Sequence, residues 1–450
     1  MQVKATYKDV WRISYPIMLG AIAQTILGLT DTAFLARVGE VELGASAIAG
    51  VFYFLLVMLG MALSIGAQIM MSRKAGENDK AGIGHVFDHS ILILFSLSVV
   101  LFVVMQWVAP WFFRLILKSP DIAEASIAFI KTRSYGIFFI LLINCFRSFY
   151  TSITQTRYIT YNALVLTLSN VILAYGMIFG EFGFKAEGIE GAGKASAIAE
   201  LLGFAFIALL TFFKKDIREF KLLSFKNISS SINKSILKIS TPIFFQNLLS
   251  MGAWFVFFVF IEQLGQHELA ISNLLRTTYM VLMTPIWGYA STANSMVSNL
   301  IGQKKEDEIL GLVKKIGWLS LLSTIVMFLL NLINFRFILE LIASDKHIVS
   351  DAMSSYYVIW AGMFLFSLSM VALSAVSGTG KTKVAMVIEL VNIFIYVLYA
   401  YLTAVVFRMQ LEIVWGAEIL YWLIMGLCAY YYLKSNKWRP KNIPASPLAS

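Results

Sequence analysis

Long apolar runs, broken by short polar and basic stretches, recur from one end of this chain to the other. They fall near residues 13–38, 43–72, 84–110, 125–151, 158–181, 190–213, 240–263, 268–300, 311–335, 350–377, 383–407 and 412–433. Each is about 20 residues or longer, enough for a helix to cross a hydrocarbon core of ~30 Å. The pattern predicts an all-α polytopic membrane protein with twelve spans. Composition agrees: 59% of the 450 residues are hydrophobic and only 14% charged, with a mean hydropathy of +0.76, where soluble domains run nearer 45–50% and about 25%. The basic N-terminus, MQVKATYKDVWR, leads into an apolar run too long for a signal-peptide core and without a small-residue cleavage site, so it reads as the first span.

Charge then sets the expected topology. Twelve spans put both termini on one side, and 24 Lys and Arg fall on that side against 8 on the other, with Lys131, Arg133, Arg147 and Arg276 too deep to assign. Such a bias makes that side cytoplasmic, here an inner (cytoplasmic) membrane. It also accounts for the net charge of +10 without a nucleic-acid partner. The longest break, residues 214–238, is a basic linker in which Ile228, Ile232 and Ile236 recur every four residues. That spacing fits a short helix on an anionic membrane surface as well as a solvated linker. It divides an N-lobe (1–213) from a C-lobe (239–433), with a cytoplasmic tail at 434–450. Cys145 and Cys428 sit inside apolar runs, and the four His lack ligand spacing, so neither a disulfide nor a metal site is expected.

The two lobes repeat. At an offset of 226 residues, ISYPI at Ile13 meets ISTPI at Ile239, Gly39 meets Gly265, Glu42 meets Glu268, and GAQIMMSRKAGE meets TANSMVSNLIGQ. At an offset of 222, Asn170 meets Asn392. Six spans per repeat means both halves enter the bilayer the same way round. Their pseudo-twofold axis then runs along the membrane normal, with a central cavity expected between two six-helix bundles. That plan favours a transporter over a receptor or an enzyme, and no HExxH, acid pair or Ser/His/Asp set lies at membrane depth. AVSGTGKT (375–382) imitates a phosphate loop but joins two membrane runs, so ATP binding is not expected.

Together with the 6+6 plan, the YPIM proline, the TDTAFLARVG segment and the Ile-Gly-Gln close of the eighth run resemble the MATE family of multidrug and toxic compound extrusion proteins. The resemblance implies a monomer that exports organic cations or other amphiphiles across the lipid bilayer by alternating access, in antiport with H⁺ or Na⁺ and with no cofactor. A lipid-linked oligosaccharide flippase of the same superfamily is the alternative. It would need cationic residues facing its substrate, for which Arg147 and Arg276 are candidates.

An acid inside the bilayer is a functional hypothesis by default. Asp31 matches the family's first-helix coupling aspartate; the alternative is a structural acid tied to Thr30, Thr32 or nearby backbone. Asn170 matches the helix 5 asparagine, and Ser196 the helix 6 hydroxyl. Many members carry a second aspartate where this chain has Ala174, which weakens a Na⁺ site at Asp31 and Asn170 and favours H⁺. Glu200, one turn beyond Ser196, is a candidate replacement for that carboxylate. Gln24, Tyr135 and Gln246 are candidate substrate-cavity residues, Gln246 standing where some members have a coupling glutamate. Glu389 and Glu418 have no assigned role. Phe257 falls opposite Asp31 in the repeat, so the acid belongs to one lobe alone.

Overall fold

The computed structural model describes residues 1–225, 228–342 and 351–439, without the side chains of residues 333–342. The start of the tenth expected span at residue 350, Lys226, Lys346, the side chain of Arg336, and the tail from residue 440 with Lys441 lie outside the described residues. The described chain is helical, and eleven helices are long and apolar enough to cross a membrane. They are α1 (Tyr7–Val38), α2 (Glu40–Gly76), α3 (Lys80–Ile116), α4 (Pro120–Ser152), α5 (Arg157–Phe179), α6 (Gly188–Phe213) and α7 (Ser230–Glu262), then α9 (Ile309–Ile342), α10 (Met353–Gly378), α11 (Thr382–Val406) and α12 (Leu411–Lys434). The eighth expected span is also a helix, α8 (Gln266–Gly302), of 37 residues. Its Arg276, Asn273, Asn294 and Asn299 make it more polar than the rest.

Many large apolar side chains face outward, while small and polar residues take a large share of the interior alongside buried aromatics. On α5, Ala163, Leu166, Asn170 and Ala174 are buried, while Leu164, Leu168 and Ile172 face out at helical spacing. This arrangement suits a lipid surround, which offers no partner to a polar group. Inside, hydroxyls and amides bind neighbouring backbones: Ser148 to the Ser64 carbonyl at 2.8 Å and Asn162 to the Gly203 carbonyl at 2.6 Å.

A proline locks α1 to α5. Pro16 has no N–H, so the carbonyl of Arg12 loses its helical donor. Thr156 donates to that carbonyl at 3.5 Å, Thr160 to the Pro16 carbonyl at 2.7 Å, and Thr167 to the Ala23 carbonyl at 3.1 Å. Each pair is separated by 144 residues. The constant offset makes the two helices parallel and in fixed register, with Asp31 level with Ala174 and Tyr175. The repeat is visible in local detail as well. At the starts of α2 and α8, Glu42 and Glu268 fold back over Gly39 and Gly265, where a Cβ would collide with their carboxylates.

Residues group into two units: Met1–Gln2 with Trp11–Leu248, and Val3–Val10 with the chain from Leu249 onward. Within the first, Ile239, Ile243 and Phe244 of α7 pack on Ala62, Ile65 and Ile69 of α2. Gly66 leaves room there for Ser240, whose hydroxyl reaches the Leu63 carbonyl at 3.4 Å. Within the second, the Val3 N–H donates to Asn299 at 3.2 Å, Gln303 to the Val3 carbonyl at 2.9 Å, and Lys315 to the Ala5 carbonyl at 2.6 Å.

The basic linker corrects both expectations for it. Ile232 and Ile236 belong to α7 itself, and Ile236 is buried, so among the described residues they form no separate surface helix. Nor is residues 214–225 a free solvated stretch. Ile217 and Phe220 are buried, and Asp88 of α3 accepts hydrogen bonds from the Leu223 N–H (2.6 Å), the Phe225 N–H (2.9 Å) and the Ser224 hydroxyl (3.2 Å). The ring of His89 takes the Ser229 N–H at 2.8 Å. The isoleucine spacing was the signal of a membrane helix starting early, and the fastening Asp88 and His89 come from a run too distant to flag in sequence.

Candidate ion-coupling site

Asp31 is half-buried on α1, and its Oδ1 is buried without a hydrogen-bond partner. The threonines beside it do not hold it. Thr30 and Thr32 each donate to the carbonyl one turn back, Ile26 and Gly28, both at 2.9 Å. That removes the side-chain partners a structural role would have used.

One turn beyond, Leu35 enters an apolar cluster with Ala174, Ile178, Ala192 and Ala195. Ala174 is therefore a packing position between α1, α5 and α6, and a carboxylate there would be desolvated at a cost of several kcal/mol. Asn170 and Ser196 do meet, the amide donating to the hydroxyl at 2.9 Å. The Asn170 Oδ1 is left buried without a partner. An orphaned oxygen thus lies on each of the neighbouring helices α1 and α5, Asn170 being level with Ile26 in the same register.

Glu200 does not fill the missing carboxylate's place. Arg133 of α4 grips it with both guanidinium arms, Nη1 to Oε2 at 2.7 Å and Nη2 to Oε1 at 2.6 Å. The Tyr53 hydroxyl lies 3.4 Å from both carboxylate oxygens, and its ring carries the guanidinium 4.2 Å from its centroid. Gly136 makes this close approach feasible, since a Cβ there would collide with Glu200 Oε2 and come within 2.8 Å of Arg133 Nη1. Asp31 interacts electrostatically with both members of the pair. With both acids ionised, the Asp31–Arg133–Glu200 cluster carries one net negative charge; one bound proton brings it to zero.

The substrate-cavity candidates do not form one group. Gln24 is half-buried two turns before Asp31, and Gln246 is half-buried on α7. Tyr135 is 58% exposed, its ring against Phe102 at 5.4 Å. Of the two arginines expected of a flippase, Arg276 is exposed and stacks on Phe258 at 5.2 Å, and Arg147 is half-buried on α4; Arg133, another deep cation, is committed to Glu200.

The second unit has a parallel feature. At the 226 offset Tyr53 meets Tyr279, and each tyrosine reaches a buried glutamate on the last helix of its lobe. Glu418 accepts from Tyr279 (3.0 Å), Tyr396 (3.0 Å) and Trp422 Nε1 (2.9 Å). Phe257, opposite Asp31 in the repeat, is buried between Trp415 and Tyr396 at 5.1 and 5.4 Å.

The MatE family model matches the chain twice, over residues 16–176 and 242–402. The chain belongs to the MatE family. The two matches begin on Pro16 and Pro242 and end 226 residues apart, the offset read from the sequence. It is accordingly a multi-pass membrane transporter and not an enzyme. A relative from Thermotoga maritima, named a probable multidrug resistance protein NorM, is 20% identical over 98% of this chain and 95% of its own. A NorM of Pasteurella multocida is 25% identical over 86% and 84%. A solved structure described as the outward-facing conformation of a multidrug resistance MATE family transporter superposes with a TM-score of 0.89 at 19% identity, covering 96% of this chain and 95% of that one.

Sequence reasoning missed Tyr53 and Arg133 at this site. Arg133 was visible as a cation too deep to assign, and the Tyr53–Tyr279 match at the repeat offset was the available signal.

Proposed function

We propose that this MatE transporter is a secondary multidrug efflux antiporter. It exports organic cations or amphiphiles from the cytoplasm in exchange for H⁺ by alternating access, as a monomer in the inner membrane with both termini cytoplasmic and no cofactor beyond the coupling ion. The relatives' names support multidrug efflux, and the Lys and Arg bias supports the orientation.

The observation that carries the coupling is Asp31: an acid at membrane depth, with one buried oxygen unpartnered, in the field of an Arg133–Glu200 pair that is otherwise neutral. Its proton decides whether the cluster is negative or neutral, so a proton and a cationic substrate compete for the same negative charge. Asn170 and Ser196 position the polar wall beside it, and Glu200 acts on Asp31 through Arg133. Gln24, Tyr135 and Gln246 are assigned to the substrate path. Na⁺ is disfavoured because a hard cation wants several converging oxygens, and the Ala174 position supplies none.

Uptake of a labelled organic cation into proteoliposomes, with ΔpH and ΔNa⁺ imposed one at a time, tests this. Transport should follow ΔpH alone and lose its gradient-driven component in Asp31→Asn. If neither gradient drives uptake, or Asp31→Asn transports as the wild type does, the antiport reading fails.

A further inference from the structure

The second unit buries two glutamates at membrane depth, and they are solvated by the protein in different ways. Glu418 is saturated: Tyr279, Tyr396 and Trp422 donate to its two oxygens. Glu389 on α11, 4% exposed, is half-satisfied. The Ser250 hydroxyl of α7 and the Tyr421 hydroxyl of α12 both converge on its Oε1. Its Oε2 is buried with no hydrogen-bond partner among the described residues.

Three residues further along α11, on the same face of the helix, stands Asn392, 1% exposed. Its Nδ2 is spent on the Ile388 carbonyl at 2.7 Å, and its Oδ1 is buried and unpartnered. Two acceptor oxygens are thus orphaned within one helical turn. Each orphan of this kind costs about 1–3 kcal/mol. Two buried acceptors one turn apart on one helix face call for a donor.

Among the described residues no side-chain cation supplies a donor. α7 carries no charged residue between Lys238 and Glu262, and α10 none at all, its titratable groups being Tyr356 and Tyr357. α12 presents Tyr421 and, through Tyr396, the saturated Glu418. An ionised Glu389 would be a buried carboxylate with no counter-charge and one bare oxygen.

We propose that Glu389 is a second proton-binding site of this transporter, its proton carried on Oε2 and donated to Oδ1 of Asn392. The proton comes from water and returns to water. On Oε2 it converts one orphaned acceptor into a donor for the other, while Ser250 and Tyr421 continue to donate to Oε1. A sodium ion answers the same two oxygens less well. The hydroxyls of Ser250 and Tyr421 already point their hydrogens at Oε1, which leaves too few oxygens for a hard cation. As a coupling element the site rests on the H⁺-antiport reading; as a proton site it stands without it.

The test is the infrared difference spectrum of the full-length protein in lipid nanodiscs, taken between acid and alkaline pH in potassium and then in sodium buffer. The wild type should show a protonated-carboxyl C=O band that disappears in Glu389→Gln and persists in Asp31→Asn. Asn392→Ala, which keeps the acid and removes only the acceptor, should shift that band without abolishing it. A Glu389→Gln spectrum identical to the wild type overturns the proposal, as does an unshifted band in Asn392→Ala. Loss of the wild-type band in sodium alone would also overturn it and make the site one for Na⁺. Asp31→Asn transport serves as the separate check. If that variant transports as the wild type does while the Glu389 band behaves as stated, the antiport reading fails and the proton site remains.

Discussion

Replacing Glu200 by Gln keeps the shape of the side chain and deletes one charge of a buried pair. In the native protein the Glu200 side chain is 4% exposed and that of Arg133 is 14% exposed, with both guanidinium arms engaged at 2.6 and 2.7 Å. Removing one partner of such a pair costs roughly 3–5 kcal/mol, because the remaining charge is stranded away from water. Asp31 interacts with the same arginine and offsets part of that loss, so the lower end of the range is expected for Glu200→Gln. Arg133→Met strands Glu200 beside Asp31 with no counter-charge, and the upper end is expected. The double variant strands nothing except Asp31 and should be more stable than the sum of the two single losses would allow. The assay is a double-mutant cycle on the apparent melting temperature of the purified protein in one detergent. Two separate losses that simply add would mean the residues do not interact, and the bidentate geometry would be refuted.

Three further outcomes follow from other contacts. Asp88→Ala removes an acceptor of three linker hydrogen bonds, each to a charged group and worth about 1.5–3 kcal/mol; limited proteolysis within residues 214–229 should accelerate, and an unchanged cleavage rate would contradict the fastening. Gly136→Ala drives a methyl into Glu200 Oε2 and should lower stability together with transport, whereas Gly28→Ala, with open space around it, should do neither; equal melting temperatures for the two would refute the close approach. Asp79 caps α3 through the Gly82 N–H at 2.7 Å. Burial alone would raise its pKa, but that N–H and the Lys74 ammonium outweigh burial and hold it below the ordinary value. A depressed folded pKa contributes stability above the unfolded value of about 3.9, and that contribution is lost as pH falls through the folded one. Asp79→Ala should therefore cost about 0.5–2 kcal/mol near neutrality and converge with the wild type in acid; a constant difference across that range would sink this account.

The spans, their number and the repeat were legible because each is written in consecutive residues. A run of about 20 apolar residues has few fates besides crossing a bilayer, and a duplicated six-helix unit keeps its proline, glycine and glutamate landmarks at one offset. The eighth span shows where that signal thins: α8 is a helix of full length whose Arg276 and three asparagines dilute its apolarity. The linker shows where local periodicity misleads. Ile228, Ile232 and Ile236 have the spacing of a surface helix, yet the helix that begins at Ser230 runs unbroken to Glu262.

Sequence also marked Asp31, an acid conspicuous at membrane depth wherever its partners are, and, through the MATE resemblance, Asn170 and Ser196. It could not say what those partners are. Glu200 looked like a spare carboxylate one turn from Ser196; only the folding of α4 against α6 brings Arg133, 67 residues away, onto both of its oxygens. Glu389 and Glu418 looked alike in the sequence, two acids in apolar helices. Their difference lies in which hydroxyls α7, α8 and α12 turn toward them, leaving Glu418 saturated and Glu389 with a bare oxygen. Hydrophobicity is a property of single residues summed along the chain, so it survives without a structure. The state of a buried charge is set by donors and counter-charges a few ångströms away, and these come from helices far apart in sequence.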